Sequence, residues 1–154
     1  MTTILERIVA ETRADLALNP RERVRLERAI THRAQAPLNA FDTLKSPGPH
    51  IIAEVKRSSP SAGVIREGVE PVRLAQTYAQ AGASAISVLT EPRHFGGSLD
   101  DLSQVSAEVT IPSLRKDFII DEVQLLEARL HGASIVLLIV TALKPKELAS
   151  LIAF

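Results

Sequence analysis

Residues His50–Ser61 read HIIAEVKRSSPS. An apolar run opens the stretch, as in a buried strand. Glu54 and Lys56 then follow two residues apart, and a Ser-Pro turn closes it. Side chains alternate along a strand, so Ile52, Glu54 and Lys56 share one face and Ile51, Ala53 and Val55 the other. The second face is wholly apolar and is expected to meet helices. The first starts apolar at Ile52 and becomes ionic toward the carboxyl end. Parallel βα barrels place their chemistry at that end of their strands. A dinucleotide-binding sheet is disfavoured, because AEVKRSSPSAG lacks the GxGxxG turn.

Downstream, helix and strand patterns alternate. Pro71 opens a helix running to Gly82, with Val72, Leu74, Ala75, Tyr78 and Ala79 as apolar contacts. ASAISVLT is the second strand. Ser98 caps a short helix with Leu99, Leu102 and Val105 in line. TIPSLRKDF is the third strand. Asp121 caps the next helix, with Gln124 placed for a capping box and Gly132 at its end. ASIVLLIV is the fourth strand, and Thr141–Phe154 begins a further helix in which Leu148, Leu151 and Ile152 share a face. AQAGASAISVLT and ARLHGASIVLLIVT each join a helix end to Gly-Ala-Ser and a buried strand, as a repeated βα unit does. Alternation of this kind implies a parallel sheet covered on both sides.

The third strand repeats the design of the first. Pro112, Leu114, Lys116 and Phe118 share a face, with Lys116 near the carboxyl end. Two interior lysines repel unless a carboxylate or a bound anion lies between them, and Glu54 supplies one such charge. Burial beside a like charge makes a lysine a usable proton donor near neutrality. The plainer reading is a Glu54–Lys56 ion pair at a strand end, with Lys116 solvated.

Upstream, Ile4, Leu5, Ile8 and Val9 form a helical stripe. Asn19, Pro20 and Glu22 mark the N-cap, N1 and N3 positions of a second helix through Val24, Leu26 and Ile30. The RxxR pattern from Arg21 to Arg28 reads as a solvated helix face. Ala36–Pro49, with Pro37, Pro47, Gly48 and Pro49, reads as a connector. Residues 1–49 are therefore a helical extension with connector, and 50–154 a run of βα units.

Composition narrows the function classes. The chain has 154 residues, no cysteine, and 18 basic against 18 acidic side chains. Zero net charge and few aromatic residues argue against nucleic acid and anionic membrane as partners. Absence of cysteine removes disulfides and thiolate sites and fits a cytoplasmic location. The N-terminus lacks the uninterrupted apolar core of a signal peptide, and IVLLIV is too short to span a bilayer. His32, His50, His94 and His131 show no metal spacing and read as surface or capping residues. Gly96-Gly97 reads as a turn rather than a phosphate cradle. Phe95 is either a loop anchor or a lid over a ligand.

IIAEVKRSSPSAG, SVLTEPRHFGGS, IPSLRKDFIID and GASIVLLIV, in this order, closely resemble the indole-3-glycerol phosphate synthase family. The two leading helices match that family's extension. The resemblance implies an α/β fold of the (β/α)8 TIM-barrel family, here its first four βα units. It implies a carbon-carbon lyase of tryptophan biosynthesis with no cofactor or metal. The small, anionic, phosphorylated substrate is 1-(2-carboxyphenylamino)-1-deoxyribulose 5-phosphate, which undergoes ring closure, decarboxylation and dehydration. Lys116 matches the general acid, Lys56 the lysine that holds the substrate, and Glu54 the carboxylate that orients them. Ser59 matches a substrate-contacting serine. Phe95, Phe118 and Leu137 match apolar residues around the aromatic ring.

The same resemblance implies a base on a fifth strand and a phosphate site at strands seven and eight, outside these 154 residues. The chain alone is then expected to be inactive. Its outer strands are expected to be open edges, with Ile52, Leu89, Leu114, Leu137 and Ile139 deprived of partners across the barrel. The alternative reading is a non-catalytic half barrel that self-associates or complements a separate C-terminal half. A phosphoribosyl isomerase barrel fits the lysine-rich interior less well.

Overall fold

The computed structural model describes residues 2–17, 22–32, 36–65 and 68–154. Helices α1 (Ile4–Ala17), α2 (Glu22–Thr31) and α3 (Ala40–Lys45) precede strand β1 (Ile52–Val55). A small hairpin follows, β2 (Ser58–Ser59) with β3 (Gly63–Val64). Then come α4 (Pro71–Gln80), β4 (Ala85–Leu89), α5 (Pro92–Phe95), α6 (Leu99–Glu108) and β5 (Ser113–Lys116). The chain continues through α7 (Glu122–Leu130), β6 (Ile135–Val136), a 3₁₀ turn (Val140–Ala142) and α8 (Pro145–Ala153). Strands β1, β4, β5 and β6 form one parallel sheet in that order.

Local chemistry accounts for the helix starts. Pro71 occupies the first turn of α4, where its missing N–H costs nothing. Ser98 accepts from the Asp101 N–H at the start of α6. Asp121 and Gln124 form a reciprocal capping box on α7. Both glycines that end helices before a strand, Gly82 and Gly132, have positive φ.

The outer face of the sheet carries the core. Val55, Ile86 and Val88 pack with Ala75 of α4, Leu102 and Val105 of α6, and Ala128 of α7. Burying each of the larger apolar side chains contributes about 1.5–3 kcal/mol. The extension lies against the other end of the chain: α2 on α7, and α1 on the Val140–Ala142 turn. Ile8 and Leu26 are the buried residues of α1 and α2.

Several expectations need correction. Ala36–Pro49 holds a helix, α3, begun by Asn39, whose side chain accepts from the Asp42 N–H. Only Ile135–Val136 of ASIVLLIV pair as a strand; among the described residues β6 is the last strand of the sheet. The last helix starts at Pro145, and Leu151 is buried while Ile152 is 70% exposed. Asn19, Pro20 and Arg21 lie outside the described residues. The exposed-interior expectation holds for Ile52 at 45% but not for Leu89 at 4% or Leu114 at 8%. Those two sit on central strands flanked on both sides, and Leu89 shares a small cavity with Phe95 and Gly97 of the following loop. Leu137 and Ile139 are half-buried.

Candidate active site

β1 and β5 bring three ionised side chains together. Lys56 Nζ donates to Glu54 Oε1 at 2.9 Å, and Lys116 Nζ donates to Glu54 Oε2 at 3.5 Å. One carboxylate thus bridges two lysines carried by different strands, and Lys116 is not merely solvated. The register explains the meeting. Glu54 stands opposite Ser87 of β4, and Ser87 opposite Leu114 of β5, so Lys116 lies one inward step above the Glu54 row. Strand alternation puts Lys56 at that same step. β1 and β5 are separated by β4, so their backbones are about 9–10 Å apart. On this face β4 presents Ser87 in the Glu54 row and Leu89 in the Lys116 row.

The three side chains are each about one-third exposed, at 34% for the lysines and 32% for Glu54. Burial acts to raise the Glu54 carboxyl. The hydrogen bond from Lys56 and the charges of Lys116 and Lys56 outweigh it, holding the carboxyl below its ordinary value. Pairs this exposed add only about 0–1 kcal/mol to stability. The arrangement is therefore better suited to receiving an anion than to holding the fold.

Aromatic residues flank the charges. The Phe95 and Phe118 rings are 6.1 Å apart at 41°, a tilted pair built from the loop after β4 and the loop after β5. Glu91 holds the Phe95 turn. Its buried carboxylate accepts from the N–H groups of Arg93, His94 and Phe95. Gly96 ends α5 at φ 62, and a Cβ on Gly97 would lie 2.1 Å from the Leu89 carbonyl oxygen. The glycine pair is thus a turn pressed onto the strand end. Phe95 is an anchor in this arrangement, packed on Phe118. Ser59 lies in the hairpin after Lys56, where its Oγ accepts from the Ala62 N–H at 3.2 Å. Leu137 follows β6 and is half-buried; alternation places it on the face of Ile135, which aligns with Leu114.

His50, His94 and His131 find partners within the protein. His94 meets Glu11 of α1 at 2.9 Å, which lowers the Glu11 carboxyl. His50 contacts Ser84 and the Ser46 carbonyl, and His131 caps α7 and meets Ser103. Two features escaped the sequence reading. Glu91 as an N-cap was signalled by Pro92 immediately after it. Beyond their own pairing, the contacts of Arg115 and Asp117 have no local signal, because Thr90 lies past β4 and Gln124 and Glu127 on α7. A cleft of about 520 Å³ on that outer side is lined by Arg115, Asp117 and Glu127, away from the lysines.

Helices alternating with parallel strands, and ionised groups gathered at neighbouring carboxyl ends, define the class: a partial (β/α)8 barrel of the enzyme type. A model of the family described as indole-3-glycerol phosphate synthase matches residues 5–154. The chain belongs to that family, a family of carboxy-lyases in tryptophan biosynthesis. Indole-3-glycerol phosphate synthase of Mycolicibacterium gilvum is 50% identical over 151 residues, covering 97% of this chain and 56% of the relative. That of Mycolicibacterium smegmatis is 51% identical over 153 residues with the same coverages. That of Leptospira interrogans is 58% identical over 113 residues, 73% of this chain and 45% of the relative. The chain spans about half the length of the curated relatives it matches.

Proposed function

We propose that this chain carries the acid side of the indole-3-glycerol phosphate synthase reaction. The observation that supports it is the Glu54 carboxylate shared by Lys56 and Lys116. In the proposed step, the ring carbon bearing the carboxylate attacks the carbonyl carbon of 1-(2-carboxyphenylamino)-1-deoxyribulose 5-phosphate. A carbon-carbon bond forms, and Lys116 gives a proton to the carbonyl oxygen. The iminium so produced takes up the electron pair released as carbon dioxide leaves. The new hydroxyl then departs as water, with a proton lost from the methylene beside nitrogen. Lys56 holds the anionic substrate, and Glu54 orients both amines. Ser59 contacts the substrate, and Phe95, Phe118 and Leu137 line the aromatic ring.

Binding of a non-cyclisable analogue, with the carbonyl reduced to an alcohol, tests the reading by calorimetry. Lys116→Ala and Lys56→Ala each weaken it by about tenfold, the loss of one charge-assisted contact. Unchanged binding in both variants overturns the assignment. The base and phosphate groups implied by the family are placed outside these residues. The 154 residues alone therefore give no steady indole formation, and a polypeptide covering the rest of the relatives' length restores it. Robust turnover by the chain alone removes this division of labour.

We also propose, on a separate observation, that the module associates through its sheet edges. Ile52 on edge strand β1 and Ile51 just before it are 45% and 63% exposed. Further along the same edge, a groove of about 700 Å³ lies between Glu54, Lys56 and the Arg73–Tyr78 side of α4. Self-association or uptake of a complementary half barrel fits that edge. Sedimentation of a strict monomer at all concentrations counts against self-association. Among the described residues no helix is long and apolar enough to cross a membrane. A cytoplasmic site of action, and division of the chain into 1–49 and 50–154, complete the proposal.

A further inference from the structure

We propose that Arg115 and Asp117 are positioning residues that aim Lys116 and Phe118 into the site from the opposite face of the sheet. The proposal rests on the proton-donor reading of Lys116, but its test reads the amine without reading turnover. In the run Arg115-Lys116-Asp117-Phe118 the contacts divide between two sides: Arg115 meets Asp117, while Lys116 reaches Glu54 and the Phe118 ring meets Phe95. Arg115 is only 4% exposed and Asp117 9%. The guanidinium spends its donors on three elements. Nη2 donates to Asp117 Oδ2 at 2.9 Å, and Nη1 donates to the Gln124 carbonyl at 2.7 Å and to Glu127 Oε2 at 2.9 Å. Nε donates to Asp117 Oδ2 at 3.2 Å and to Thr90 Oγ1 at 3.3 Å. Thr90 Oγ1 in turn donates to Asp117 Oδ2 at 2.5 Å.

This network sits at the height where the strand ends. Lys116 is the last ladder residue of β5, and its carbonyl accepts from the Thr90 N–H at 3.1 Å. Beyond it the chain has no strand partner. The Asp117 carboxylate takes over, accepting from the Phe118 N–H through Oδ1 at 2.9 Å. The Gln124 side chain completes the hold by donating to the Phe118 carbonyl at 3.1 Å and accepting from the Ile120 N–H at 2.8 Å. The chain on both sides of Lys116 is therefore held by buried and part-buried bonds, several of them charge-assisted, to Thr90 just past β4 and to α7. Among the described residues, Lys116 itself is held by one 3.5 Å contact, to the one-third-exposed Glu54 carboxylate. Its direction comes from its neighbours. Lys56 reaches the same carboxylate from β1, which the network does not touch, and so is an internal control.

The test is lysine labelling of the full 154-residue chain with pyridoxal 5′-phosphate, an anionic aldehyde. The amine adds to the aldehyde carbon, water leaves to give an imine, and borohydride delivers hydride to fix a secondary amine. Peptide mapping then gives the labelling rates of Lys56 and Lys116 relative to exposed Lys146. In Asp117→Asn the relative rate of Lys116 rises by about threefold, as expected when a partly exposed ion pair is loosened, while that of Lys56 is unchanged. Any other pattern, with Lys116 unchanged or both lysines moving together, overturns the proposal. Circular dichroism checks the fold of the variant. If Asp117→Asn does not fold, Thr90→Val decides. It removes one hydrogen bond into Asp117 and raises the Lys116 rate alone by about twofold, and failure to do so is equally fatal.

Discussion

Two faces of one strand end are built on opposite principles. On the outer face of β5, Arg115 is buried and each of its nitrogens donates to protein oxygens. On the inner face, one residue along, Lys116 is one-third exposed and, among the described residues, holds one long ion-pair contact. A buried charge must be satisfied by fixed partners, so the outer cluster is rigid and intolerant. A half-exposed charge can exchange its partner for a ligand at little cost. The comparison teaches that rigidity and reactivity are separated by the pleat of the strand, not by distance along the chain.

The largest effect is expected from breaking the outer face. Arg115→Met leaves the Asp117 and Glu127 carboxylates without their common cation and is expected to cost about 3–5 kcal/mol, read by urea unfolding. A loss below 1 kcal/mol would mean that water replaces the guanidinium and that the cluster is not rigid. Gly97→Ala comes next. Its Cβ meets the Leu89 carbonyl, which is backbone and cannot yield, so about 1–3 kcal/mol is expected from thermal unfolding. Alanine at Gly96, which has φ 62 and only the Ser58 hydroxyl nearby at 3.2 Å, is expected to cost about 1 kcal/mol.

The inner face should give smaller numbers. A double-mutant cycle on Phe95→Leu and Phe118→Leu is expected to show about 0.5–1.5 kcal/mol of coupling. Zero coupling would detach the two loops from each other. Glu54→Gln is expected to have the smallest effect, and a pH-dependent one. The native carboxyl sits below its ordinary 4.5, through burial opposed and outweighed by Lys56 and Lys116. A depressed carboxyl stabilises the fold above the unfolded value, and that stabilisation disappears as pH falls through the native one. The difference between parent and variant should thus be present at pH 7 and shrink below about 4.5. A difference that grows toward acid would reverse the sign assigned to Glu54.

The history of particular residues shows what was legible. Ser98, Asp121 with Gln124, and Pro71 act within three or four positions of themselves, and each does what its local chemistry requires. The alternation Ile52, Glu54, Lys56 and Leu114, Lys116, Phe118 likewise fixes which residues share a face. Helix α3 was hidden by the prolines and glycine around it, and α5 by its brevity. The fourth strand was read too long because apolar content reports burial, not pairing. Leu89 and Leu114 were expected to be exposed. Their burial depends on central strand position and on a loop that folds back over Leu89.

The amino-acid sequence by itself determined the alternation of the sheet strands with their main helices, the two faces of each strand, and the identity of the three charges. Those properties depend on near neighbours and on a two-residue period. Only the tertiary structure decided that Glu54 stands between Lys56 and Lys116, since that depends on register across β4. It alone decided that Arg115 and Asp117 clamp the strand end through Thr90, Gln124 and Glu127. Contacts between residues far apart in the chain carry no local signature, because the groups that satisfy a buried charge are chosen by packing.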